Sequence, residues 1–191
     1  MSEYEDRDSM LQRGILLYEE TCELNRIKSP KLRVLRGRQE RKNFWACGWF
    51  SPPHSVTLFP ERCARIGVGG RAWSFPGYVV DRTPFGVLQH ENGHHFDFAF
   101  SKDTSFSLFA HDYTEEPAIT GYAPNESEWF AEMFRLFITN PDLLRLIRPK
   151  TWELLGAHFV SPEKRGWQRV LALAPERTFD AAASKVERAG S

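Results

Sequence analysis

Two histidines four residues apart, with a glutamate beside the first, are the residues of this chain best suited to chemistry: His90-Glu91-Asn92-Gly93-His94. On an α-helix, positions four apart lie about 40° apart on the wheel, so both imidazoles project from one face and can share a metal. Glu91 lies about 100° round from His90, beside such an ion and not on it. A carboxylate placed there can take a proton from water that zinc has made acidic, which is the chemistry of a zinc hydrolase. Pro84 suits the first turn of the helix. Gly93 costs that helix up to ~1 kcal/mol relative to Ala, a local cost that makes sense if another backbone or a side chain must approach closely there. Asp97, three residues after His94, shares its face and could orient a ligand or be one itself; orienting or capping is the preferred reading. His95 points about 100° away from His94 and is read as packing inside.

A catalytic zinc usually takes three protein ligands. The extended pattern H-E-x-x-H-x-x-G-x-x-H is absent, because Asp97 stands at its Gly and Phe100 at its third His. The stronger source is Asn125-Glu126-Ser127-Glu128-Trp129-Phe130-Ala131-Glu132-Met133-Phe134-Arg135. Projected on a helix, its apolar residues cover more than half the circumference and leave one stripe of Glu128, Glu132 and Arg135. A buried carboxylate is costly unless paired or metal-bound. Glu128 as ligand, with Glu132 one turn on and hydrogen-bonded to a ligand histidine, satisfies both. The competing arrangement puts the stripe in water, pairs Glu132 with Arg135 at the surface and uses Glu128 in a capping box from Asn125. His111, Asp112, Glu115 and Glu116 are rival donors in the intervening segment.

These two motifs together resemble the gluzincin metallopeptidases, above all the catalytic domain of anthrax toxin lethal factor and its relatives, with their H-E-x-G-H and N-E-x-E-[FW]-F-A-E-x-F-R helices. The resemblance covers roughly residues 84–140. It implies a zincin-like fold, zinc on His90, His94 and Glu128, Glu91 as general base, and a peptide or protein substrate. Tyr122 looks like the tyrosine that in this family assists the transition state. The same residues would also suit a zincin-fold binding or structural protein without turnover, or a zinc hydrolase of non-peptide amides.

The elements that must position these residues follow from periodicity and punctuation. The spacing predicts a first helix over 8–26, short strands over 31–35, 44–50 and 55–59, and a Gly-rich loop with a strand at 78–80. Helices follow over 83–100, 125–139, 141–146, 162–173 and 179–188. Gly67-Val68-Gly69-Gly70-Arg71-Ala72 has the letters of a dinucleotide fingerprint but lacks the strand before it and the helix after it. The order helix, strands, helices reads as α+β, with a small sheet, an active-site helix and a C-terminal helical part. Residues 55–59 are the strand expected to offer an edge to an extended substrate.

At 191 residues the chain suits a single domain, 1–191. Lys and Arg number 25 against 25 for Asp and Glu, so no net field favours nucleic acid. The acidic N-terminus is unlike a signal peptide, and no apolar run approaches a membrane span. A soluble protein is expected, cytoplasmic or exported by a signal-independent route. Cys22, Cys47 and Cys63, odd in number and without C-x-x-C spacing, are expected to be buried thiols. Nothing here speaks to oligomeric state.

Overall fold

A computed structural model of the chain describes residues 7–36, 46–53, 55–63, 65–66, 69–70, 82–101, 116, 125–139 and 141–160. Its elements, in chain order, are α1 (Arg7–Leu24), β1 (Lys31–Val34), β2 (Gly48–Ser51), β3 (Ser55–Leu58), a 3-10 turn (Pro60–Arg62), β4 (Arg65–Ile66), β5 (Gly69–Gly70), α2 (Pro84–Ser101), α3 (Glu126–Thr139), α4 (Pro141–Ile147) and α5 (Pro149–His158). The α+β class expected from the sequence is present. The strand expected at 78–80 and the helices expected over 162–173 and 179–188 lie outside the described residues.

The three-stranded sheet is mixed, in the order β1-β3-β2. β3 pairs in parallel with β1 (Lys31 opposite Ser55) and antiparallel with β2 (Phe50 opposite Val56). This corrects the expectation that 55–59 offers an edge: β3 is the central strand and both its sides are taken. Among the described residues β2 has a strand partner on one side only. Gly69-Gly70 pairs in parallel with Arg65-Ile66, and the residues that would follow in a dinucleotide fingerprint, 71–81, lie outside the described residues. A helix also follows α4 where none was expected, because Pro149 fits the first position of a new helix as well as it ends an old one.

α1 packs on α2 through Leu11, Tyr18 and Leu88, all buried. The Gln89 side-chain amide donates to the Gly14 carbonyl at 2.8 Å, tying the two helices together at a polar position. Thr83 starts α2, its hydroxyl accepting from Gly86 N–H at 3.1 Å. Asn125 starts α3 in the same way, accepting from Glu128 N–H at 3.0 Å. Under the crossing of α2 and α3 lies an aromatic cluster in which Phe96 meets Phe134 at 4.6 Å between centroids and Phe159 closes on Phe134 at 5.3 Å.

Gly93 explains how closely these helices cross. A Cβ built there would stand 2.5 Å from Ala131 Cα and 2.9 Å from Ala131 O. The neighbour is backbone, which cannot swing aside. Helix propensity alone would make Gly93→Ala stabilising by up to ~1 kcal/mol, but overpacking at a rigid contact costs ~1–3 kcal/mol. We expect a net loss of stability, read as a lower urea midpoint; a raised midpoint would refute the contact. At Gly48 a Cβ would meet side chains instead, Leu58 of β3 at 2.6 Å and Val87 of α2 at 2.9 Å.

Two of the three cysteines depart from expectation. Cys22 is a free, buried thiol that burial pushes up to about 12, whereas Cys47 and Cys63 form a disulfide. The chain between them folds back so that Phe59 N–H donates to the Cys47 carbonyl at 2.7 Å. The two Cα atoms come within 5.1 Å, a juxtaposition set by the sheet and invisible in the spacing. Among the described residues no helix is long and apolar enough to cross a membrane.

Candidate metal centre

α2 carries His90 and His94 on the face turned to α3, one on each side of Gly93, and the first turn of α3 brings Glu128 opposite them. The close crossing permitted by Gly93 makes the distances short. His90 Nε2 lies 3.0 Å from Glu128 Oε2, His94 Nε2 lies 3.5 Å from the same oxygen, and the two Nε2 atoms are 3.1 Å apart. These three donors form a group that could hold a metal ion.

The outer ring nitrogens are tied back. His90 Nδ1 donates to Glu132 Oε1 at 2.8 Å, and His94 Nδ1 lies 3.2 Å from Ser127 Oγ. Glu132 in turn accepts from Arg135, Nε at 3.1 Å and Nη2 at 2.9 Å. Glu132 is 0% exposed and Arg135 1%, so the acidic stripe is not the solvated face that competed with the metal reading. Of the capping-box alternative, the Asn125 half exists, but the Glu128 carboxylate turns to the histidines and not back to the cap.

The electrostatics match a centre made for positive charge. Burial opposes a charge on His90, yet hydrogen bonds to Glu128 and Glu132 hold its pKa up at about 10. Burial also works against ionised Glu128, but hydrogen bonds to His90 and His94 bring it down to about 2. Glu132, likewise opposed by burial, is held well below the usual carboxylate range by Arg135 and His90. Glu91 moves the other way. Burial raises its pKa against the pull of His90 and His94, nearby Glu128 adds to the rise, and a hydrogen bond to the Phe50 backbone partly offsets it.

The chain matches no family model, no curated protein and no solved structure. Function must therefore be argued from this site.

The site opens into a cavity of about 440 Å³. His90, Glu91, His94, Asp97 and Glu128 line it together with Trp49, Phe50, Pro52 and Phe98, so β2 forms one wall and α2 with α3 the other. Asp97 thus shares the cavity without belonging to the three-donor group. His95 packs inside, as expected, its ring 6.0 Å from Tyr18 and 5.7 Å from Phe50. Among the rival donors, Glu116 is engaged elsewhere, its carboxylate accepting from Thr151 N–H at 2.8 Å and Thr151 Oγ1 at 2.7 Å at the start of α5. His111, Asp112 and Glu115 lie outside the described residues, as does Tyr122. Ser127, whose hydroxyl faces His94, is a contact that no pattern in the sequence marks.

Proposed function

We propose that this chain is a zinc metallopeptidase of gluzincin type, with a zincin-like fold, in which His90, His94 and Glu128 hold the metal and Glu91 is the general base. The observation that carries this reading is the convergence of three electron-pair donors, with both histidines tied back at Nδ1. Uncharged Nε2 atoms and a carboxylate repel one another unless a cation or a proton sits among them. In a tetrahedral zinc site with bonds of ~2.0–2.1 Å, neighbouring donors stand ~3.3 Å apart. The observed separations of 3.0, 3.1 and 3.5 Å bracket that figure. Two imidazoles and one carboxylate also form the donor set that zinc takes in hydrolases of this kind.

A zinc ion held by His90, His94 and Glu128 would supply Lewis acidity, which makes bound water more acidic and polarises a carbonyl. Glu91 then takes the proton of the attacking water on its carboxylate and passes it to the leaving amine. The hydrogen bond to the Phe50 backbone ties Glu91 to β2, so the strand that lines the cavity also orients the base. An extended peptide would lie along the side of β2 that has no strand partner among the described residues, in place of the strand expected from sequence, its backbone pairing with Gly48 and the Phe50 carbonyl while side chains enter the cavity. Tyr122 keeps, by the family resemblance, the role of hydrogen-bond donor to the developing oxyanion.

Zinc content tests the reading. The purified chain should carry about one zinc ion per molecule and cleave an unfolded protein or a peptide library. Glu128→Ala should retain well below half of that zinc after mild dialysis, because two histidines alone make a weak site. Undiminished zinc in that variant would assign the third position to another residue, and no cleavage by zinc-loaded wild type would overturn the peptidase reading.

A further inference from the structure

We infer that Ser127 is a positioning residue for His94, so that α3 aims both histidines as well as supplying the third donor. The inference rests on the metal-centre reading and extends it to a residue outside the three donors. For Nε2 to bind a metal, Nδ1 must carry the ring proton, and the group facing Nδ1 decides whether it does. On His90 that group is Glu132, an ionised carboxylate at 2.8 Å that can only accept. On His94 it is the Ser127 hydroxyl at 3.2 Å, neutral and able either to accept or to donate.

The placement of Ser127 is set by its helix. It is the second residue of α3 and directly precedes Glu128, and the Asn125 cap on Glu128 N–H fixes the turn that holds both. One turn therefore presents the third donor to the centre and a hydroxyl to the back of the second donor. The next turn presents Glu132 to the back of the first. The two arms are unequal, because a hydrogen bond to a carboxylate is about twice as strong as one to a neutral oxygen. His94 is accordingly the less firmly aimed ligand, and Ser127 is what keeps its Nε2 turned inward.

Zinc dissociation constants from chelator competition, for wild type, Ser127→Ala and Ser127→Thr, test this. Loss of such a partner weakens metal binding by ~10–100-fold. We expect that loss in the alanine variant and recovery to within a few-fold of wild type in the threonine variant, with the urea midpoint of chelator-treated protein the same in all three. A second readout is the His94 ring in the zinc-loaded protein: long-range ¹H–¹⁵N spectra should show a His94 Nδ1 proton protected from solvent exchange in wild type and Ser127→Thr, and exchanging faster in Ser127→Ala. Wild type that takes up no zinc would overturn the metal reading and the inference with it. An alanine variant that binds zinc with unchanged affinity and unchanged exchange at His94 Nδ1 would overturn the inference alone.

Discussion

Under the proposed reading, Glu91→Gln should keep zinc and lose peptide hydrolysis by a factor between ~10² and ~10⁴, the range that a positioned acid–base group contributes. The amide is nearly isosteric and its oxygen can still accept the backbone hydrogen bond from Phe50 that holds Glu91 against β2, so the cavity wall should not move. What it cannot do is accept a proton. Burial already pushes the Glu91 carboxyl up from its ordinary value, nearer to the range in which a base that has taken a proton can give it up again. Equal zinc content in the two proteins, with cleavage of the same substrate compared at matched zinc loading, checks the expectation. Cleavage by the variant at the wild-type rate would rule Glu91 out as the base.

Glu132→Ala acts through stability first. Glu132 is the acceptor shared by His90 Nδ1 and the Arg135 guanidinium, and both side chains of the Glu132–Arg135 pair are about 1% exposed. Removing one partner of a buried pair typically costs ~3–5 kcal/mol, since the other is left charged in a poor solvent. The same change frees His90 to turn and should weaken zinc binding by ~10–100-fold. The double variant Glu132→Leu/Arg135→Met separates the two effects. It removes both charges, so much of the lost stability should return, measured as the urea midpoint of chelator-treated protein. Its zinc affinity should stay low, because the His90 Nδ1 proton has then lost its carboxylate acceptor. Full recovery of zinc affinity in the double variant would show that Glu132 serves only to neutralise Arg135.

How much of this was legible in the sequence depends on how local each feature is. His90, Glu91 and His94 lie on one helix, whose periodicity alone places them, and Gly93 announced a close neighbour before Ala131 was known to be that neighbour. The stripe of Glu128, Glu132 and Arg135 could be read as special because the rest of the helix is apolar. Ser127 could not, since a polar residue in the first turn of a helix usually faces water. The sheet was harder. Its short strands were found, but which one is central depends on pairing between segments, and the parallel partnership of β1 with β3 leaves no mark in either. The Cys47–Cys63 disulfide was missed for the same reason, as its 16-residue separation carries no signal until the chain folds back. Tyr122 rests on family resemblance alone and lies outside the described residues.

The contact of Gly93 with Ala131 has a mechanical consequence. Two crossed helices rock about the point where they touch, and here that point lies between the two histidines and three residues from Glu128. At 1.5 Å of rise per residue, a tilt of about 5° about this fulcrum moves the backbone at Glu128 by only ~0.4 Å, against ~1 Å at the far end of α3. Catalytic groups tolerate displacements of up to ~0.5 Å. The donors thus sit where the lever arm is shortest, and the joint can flex without the centre losing its shape.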